Sequence, residues 1–149
     1  MNNLHILVVE DSPGDARLIL EAFKDSKLKT KISVTTDGVE ALSFLKKEGR
    51  YKGVERPDII LLDLNLPRKD GRELLDEIKN DPDLKAIPVL VLTTSNSQDD
   101  ILGSYERHAN SYITKPADID EFMDVVKSVE SFWFDIAQLP PRKPDDSND

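Results

Sequence analysis

The chain has no cysteine, which excludes disulfides and thiolate-bound metal. Histidine is nearly as scarce, with only His5 and His108 in 149 residues. With no paired histidines at ligand spacing, a transition-metal site has no support; both are expected at the surface or a sheet edge. Positive charge is in deficit: 20 Lys and Arg face 29 Asp and Glu, giving a net charge of −9 and a pI near 4.7. That balance argues against a nucleic-acid partner and favours a protein or a cationic ligand. No apolar run approaches the ~20 residues of a membrane-spanning helix. The first three residues, Met-Asn-Asn, lack the basic and apolar regions of a signal peptide. A cytoplasmic location away from membranes is expected. What is present, 38% hydrophobic and 33% charged residues, matches one ordinary folded domain.

Short aliphatic runs recur along that domain. Residues 4–9, 31–36, 58–62, 88–92 and 111–114 read as strands from their β-branched and aliphatic content. Helix-start signals of the capping-box kind fall between and after them. Ser12 leads to Asp15, with Pro13 at the favoured first helical position; Asp37 leads to Glu40, Asp70 to Glu73, Ser97 to Asp100 and Asp118 to Glu121. Five alternating βα units predict a parallel sheet covered by helices on both faces. Residues 47–57 (KEGRYKGVERP) read as a surface excursion. Residues 140–149 (PPRKPDDSND), with three prolines and no aliphatic side chain, read as a disordered tail to a domain spanning 1–139.

Acids end two of the runs. Ile6-Leu7-Val8-Val9 is followed by Glu10-Asp11, and Ile59-Ile60-Leu61-Leu62 by Asp63. In open α/β sheets, ligands bind beyond the carboxyl ends of the strands, and one common strand order is 2-1-3-4-5. With that order the first and third strands are neighbours, and Glu10, Asp11 and Asp63 converge. Singly, Glu10 and Asp11 could cap the helix after Ser12, and Asp63 could open the turn Leu64-Asn65-Leu66-Pro67. Gathered together they repel one another unless a cation joins them, which points to Mg²⁺ around one reactive aspartate. The fourth run is followed by Thr93-Thr94-Ser95, whose hydroxyls can donate to phosphate oxygens. The fifth ends in Lys115-Pro116. The lysine can meet a phosphoryl group as a point charge, and the proline can take a cis bond that would aim it.

Glu10-Asp11, Asp63, Thr93 and Lys115-Pro116, each at a strand end in this order, resemble the receiver domain of two-component response regulators. The resemblance covers residues 4–136. It implies a flavodoxin-like doubly wound (βα)5 fold with a five-stranded parallel sheet of order 2-1-3-4-5. Asp63 then corresponds to the phosphoacceptor, Asp11 to the direct ligand of Mg²⁺ (or Mn²⁺), and Glu10 to its acidic neighbour, a position often filled by Asp. Asn65 would complete the metal site through its main-chain oxygen. Thr93 and Lys115 would bind the phosphoryl group, Thr93 and Tyr112 would carry the switch, and Asn65 and Ser95 would tune dephosphorylation. Residues 62–73 (LDLNLPRKDGRE), 92–95 (LTTS) and Phe132-Trp133 are similar to the stand-alone receivers that partner phytochrome-type sensor kinases.

The resemblance implies a phosphoacceptor switch rather than an enzyme, fed by a sensor histidine kinase and read by a downstream protein, with only self-phosphotransfer and self-dephosphorylation chemistry. A phosphatase of the haloacid-dehalogenase kind would carry a second Asp where this chain has Asn65. A receiver used only for docking usually lacks one of the key groups, and here all are present. No effector domain is read after the receiver, so output through a protein contact is expected. In the last helix Ile119, Phe122, Val126, Val129, Trp133 and Ile136 step by three and four, a stripe expected to face the sheet. Val125, Phe132 and Phe134 lie off it and are the candidates for a homodimer contact.

Overall fold

In the computed structural model, which describes residues 4–24 and 29–142, strands and helices alternate five times. They are β1 (Leu4–Val9), α1 (Pro13–Lys24), β2 (Thr30–Thr35), α2 (Gly38–Leu45) and β3 (Ile59–Leu62). There follow α3 (Gly71–Asn80), β4 (Val89–Thr93), α4 (Gln98–Glu106), β5 (Ser111–Thr114) and α5 (Ile119–Glu130). All neighbouring strands pair in parallel, in the order β2-β1-β3-β4-β5. The doubly wound sheet expected from the sequence is therefore the fold. The first three residues and residues 143–149, most of the expected tail, lie outside the described residues.

Side-chain alternation splits the sheet into two cores. Leu7, Val9, Ile60, Leu62, Val89 and Val91 face α2 and α3, where they meet Ala41, Phe44, Leu74, Leu75 and Ile78. Ile6, Val8, Ile59, Leu61, Leu90 and Leu92 face α1 and α5, where they meet Ile19, Phe23, Phe122, Val126 and Val129. A strand covered on both faces can be aliphatic at every position, which is why β3 and β4 are buried throughout. The helix starts are capped as read. Backbone N–H groups donate to Ser12 Oγ (3.3 Å), Asp37 Oδ1 (2.7 Å), Ser97 Oγ (3.0 Å) and Asp118 Oδ2 (2.9 Å). At Asp70 the donor is Arg72 N (3.0 Å) instead of Glu73 N.

Four expectations are corrected. His5 is buried, its ring 5.8 Å from that of Phe44 and its Nε2 2.8 Å from Ser33 Oγ, because β1 is an interior strand covered on both faces. His108 is exposed as expected, in a left-handed turn (φ 70°) before β5. Ile119 and Ile136 do not face the sheet: they are 61% and 67% exposed. The α-helix ends at Glu130 and continues as a wider π-helical turn, Ser131–Ile136, so the three-and-four spacing loses its phase there. That turn swings Phe134 onto Phe23, centroids 5.9 Å apart, which removes it from the exposed set. Finally, the Lys115–Pro116 bond is trans, as are all peptide bonds among the described residues. Residues 140–142 of the expected tail run back to the sheet, where Arg142 donates from Nε and Nη2 to the two carboxylate oxygens of Asp58 (3.0 and 2.7 Å).

Candidate functional site

Strand register delivers the acids. Val9 pairs with Leu62, so the residues just beyond, Glu10 and Asp63, leave the sheet side by side. Their backbones stay in the ladder: Glu10 N donates to Thr35 O (3.0 Å) and Asp63 N to Val9 O (3.0 Å). On the other flank Thr93 pairs with Thr114, and Lys115 N donates to Thr93 O (2.6 Å). Glycines let the surrounding loops close in. A Cβ at Gly71 would run into the main-chain oxygen of Asp63, and one at Gly38 into that of Lys69. The segment from Asp63 to Gly71 is thereby pressed down between α2 and α3.

Carboxylate oxygens of Glu10, Asp11 and Asp63 all lie within 4.8 Å of one another, Glu10 and Asp63 buried and Asp11 open to solvent. Lys115 reaches into this cluster from β5. Its buried Nζ donates to Glu10 Oε1 (2.5 Å), Asp15 Oδ2 (2.8 Å) and Asp63 Oδ2 (3.0 Å). The remaining oxygens hold the loops in place: Glu10 Oε2 accepts from Ser12 N (3.1 Å), and Asp63 Oδ1 from Asn65 N (3.1 Å). Beside them Thr93 is fully buried, and its Oγ1 has no hydrogen-bond partner. A buried hydroxyl without an acceptor is unfavourable by about 1–3 kcal/mol.

Glu10 and Lys115 respond to their shared contact in opposite senses. Burial raises the Glu10 carboxyl to about 7, Lys115 working against the rise and Asp63 adding to it. Burial also acts to neutralise Lys115, but its hydrogen bonds to Asp15, Glu10 and Asp63 outweigh that and hold it above the ordinary lysine range. The ammonium is the secure charge, because its hydrogen bonds to three carboxylates together outweigh its burial. Four carboxylates, Asp11 and Asp15 included, thus face one ammonium. That excess of hard anionic oxygen, open to water on the Asp11 side, is a donor set suited to Mg²⁺ or Mn²⁺.

The remaining predicted residues sit just outside. Asn65 has an exposed side chain and joins the site through its backbone. Ser95 donates from Oγ to Asp100 Oδ2 (2.6 Å), while Tyr112 donates from its hydroxyl to Ser95 O (2.8 Å). Val125 and Phe132 lie with Ile113 and Trp133 along an apolar groove beside the outer strand β5, far along the chain from the acids. Sequence reading missed Asp15 as a partner of Lys115. Its spacing from Ser12 marks it as the far half of a capping box, but Glu10 supplies the acceptor for Ser12 N instead. The available signal was its place one helical turn beyond Asp11.

A model of the response regulator receiver domain matches residues 6–127. The chain belongs to the response regulator receiver family. It is 50% identical to the response regulator Rcp1 of Synechocystis sp. over 135 residues, 91% of this chain and 92% of Rcp1. This receiver superposes on the phosphorylated cyanobacterial phytochrome response regulator RcpA with a TM-score of 0.92 at 50% identity, covering 94% of this chain and 100% of the other. Against the Mn(2+)-bound form of Rcp1 the TM-score is 0.90 at 48% identity, with 93% and 99% covered. The family is one of signalling switches. No helix among its described residues is long and apolar enough to cross a membrane.

Proposed function

We propose that this receiver is a phosphorylation switch in which Asp63 takes a phosphoryl group from a phosphohistidine of a sensor histidine kinase. The observation that carries the reading is the pairing of Asp63 with buried Lys115 beside the unpartnered hydroxyl of Thr93. A carboxylate oxygen of Asp63 attacks phosphorus, the N–P bond of the phosphohistidine breaks, and the imidazole leaves with its electron pair. Lys115 stays protonated and follows the developing charge, which asks for electrostatic positioning rather than covalent help. Glu10, Asp11, Asp63 and the main-chain oxygen of Asn65 would hold Mg²⁺ or Mn²⁺, which when bound neutralises charge on the phosphoryl oxygens. The acyl phosphate supplies the acceptor that Thr93 Oγ1 lacks. Thr93 moves toward it and Tyr112 turns into the space left behind, a two-state population shift. Asn65 and Ser95, two residues past the acceptor and the switch threonine, tune how fast water removes the phosphoryl group.

The chain catalyses nothing beyond this self-transfer and self-hydrolysis. The similarity to Rcp1 and RcpA supports a phytochrome-type kinase as donor, a cytoplasmic setting, and output through a protein rather than nucleic acid or membrane. Phe132, 50% exposed next to half-buried Val125, supports a homodimer contact along the outer edge of β5 and α5. The test of the switch is incubation with acetyl phosphate and Mg²⁺ followed by intact-mass measurement. One base-labile phosphoryl group is expected, absent in Asp63→Asn and after chelation. Labelling that persists in Asp63→Asn overturns the assignment.

A further inference from the structure

Charge is unevenly distributed along this acidic chain. Residues 29–56 hold seven Lys and Arg against four Asp and Glu, a net +3; the other residues hold 13 against 25, a net −12. Five of the seven cations, Lys29, Lys31, Lys46, Arg50 and Lys52, are exposed. The fold gathers them at the end of the sheet away from Asp63. Lys31 pairs with His5 near the start of β1, whereas Glu10 and Asp63 follow the ends of β1 and β3. As a crossover helix between parallel strands, α2 returns to that starting end and brings its C-cap, Lys46, with it. An aromatic spine joins the two groups of cations: the His5 ring lies 5.8 Å from Phe44, and Phe44 lies 5.1 Å from Tyr51. The Arg50 guanidinium covers Tyr51 at 4.9 Å from the ring centre, donating from Nη2 to the Tyr51 hydroxyl (2.7 Å) and to Glu40 Oε2 (3.1 Å). Tyr51 and Val54 pack on the core, so the loop after α2 presents its cations from a fixed frame. The partial negative charge at a helix C-terminus accounts for Lys46 and Lys47, but not for Lys29, Lys31, Arg50 and Lys52.

We propose that this basic surface, residues 29–31 and 46–56, docks an acidic segment of a protein partner, whether or not Asp63 is phosphorylated. The inference goes beyond the switch and does not rest on it. Charge complementarity selects the occupant. Among the described residues Lys29, Lys31, Lys46 and Lys52 enter no ion pair, so their charges are open to a ligand. Size then narrows the choice. Charges are screened over about 8 Å at physiological ionic strength, so a short acidic segment laid on the patch meets mainly its excess of cations. A nucleic acid or an anionic membrane extends past the patch and meets the −12 of the remaining residues. Complementary charge of this kind sets the orientation and speed of encounter. A partner seated here leaves the Asp63 end of the sheet open, because patch and acceptor lie at opposite ends of the strands.

The test is an amide NMR titration of the whole chain with decaglutamate at low salt. Shifts should be confined to residues 29–31 and 46–56, and Kd should rise as salt is added. Arg50→Glu with Lys52→Glu should weaken binding by about tenfold, since two exposed attractions become repulsions. Lys46→Glu with Lys52→Glu should do the same; it spares the Arg50–Tyr51 stack and carries the test should the first pair loosen the loop. Lys85→Glu with Lys127→Glu makes the same change in net charge at exposed lysines outside the patch, and should leave Kd within twofold of wild type. Phosphorylation with acetyl phosphate and Mg²⁺, verified by intact mass, should also leave it within twofold. No shifts in the patch, or an equal loss in the control pair, overturn the docking surface. So do patch signals that move when the free protein is diluted, which would assign the surface to a second copy. Tighter patch-dependent binding to duplex DNA or to phosphatidylserine vesicles at the same salt overturns the choice of a protein. A Kd that changes on phosphorylation makes the surface part of the switch and overturns its independence.

Discussion

Lys115 arranges the acidic cluster, and its reach shows where that cluster is under tension. It satisfies Glu10, Asp15 and Asp63 at once, yet the negative charge around it remains in excess. Glu10 bears most of this, being buried with its carboxyl raised from 4.5 to about 7. A carboxyl raised on folding holds more protons in the native state than in the unfolded one across that window. Stability of the metal-free protein therefore falls as pH rises from about 4.5 to about 7. In Glu10→Gln this contribution is gone, so the stability difference between variant and wild type should grow toward neutrality, by on the order of 2–3 kcal/mol. Urea unfolding across that range with chelator present is the measurement, and parallel pH curves would refute the assignment. Excess Mg²⁺ should flatten the wild-type curve, since a carboxylate held by a cation does not take up the proton.

At the scale of elements, the last helix carries the largest departure from its sequence pattern. Phe122, Val126 and Val129 keep the buried stripe of α5, and the π-helical turn then redistributes the aromatics. Phe134 packs on Phe23, whereas Phe132 meets Trp133 edge-on at 5.5 Å and remains half exposed. The two residues should separate stability from association. Phe134→Ala removes a half-buried ring and should destabilise the monomer by about 1–2 kcal/mol, below the range for a fully buried Phe. Phe132→Ala should change monomer stability by no more than ~0.5 kcal/mol, while weakening self-association. Paired chemical unfolding and sedimentation of both variants check this. A wild type that stays monomeric at high concentration with or without acetyl phosphate removes the dimer. Periodicity could not separate the two rings, because it presumes 3.6 residues per turn throughout.

For the whole molecule, the consequential fact is that all the reactive groups hang from one end of a rigid sheet. Glu10, Asp63 and Thr93 stand at or just past the ends of strands buried between two helical layers, and Lys115 just past the end of the outer strand β5. Their geometry is set by the register of β1, β3, β4 and β5. A ligand at that end is thermodynamically linked to the entire fold. Binding only to the native state stabilises by about 2.7 kcal/mol at a hundredfold excess over Kd. For a chain of this size that corresponds to a rise in Tm of roughly 5–10 °C. Mg²⁺ titration followed by calorimetry should show that rise, with chelator reversing it and Asp11→Asn, which leaves the buried ion pairs intact, losing most of it. An equal rise in Asp11→Asn would exclude Asp11 as a ligand.

Sequence by itself determined the order of elements, the five caps and the placement of an acid, a hydroxyl or a lysine after particular strands. These are local properties: strand runs, cap residues and punctuation act over a few neighbours, and their effect is the same wherever the chain goes next. Only the tertiary structure decided which of those groups meet. That Asp15 would share Lys115 with Glu10 and Asp63, or that Ser95 would be held by Asp100 and Arg72, depends on contacts across 5 to 105 positions. An isolated Asp gives no local sign of which distant cation it will find. His5 was misplaced for the same reason, since burial on both faces belongs to the sheet rather than to the strand. Likewise the widening of the last helix turns Phe134 inward and leaves Phe132 outside.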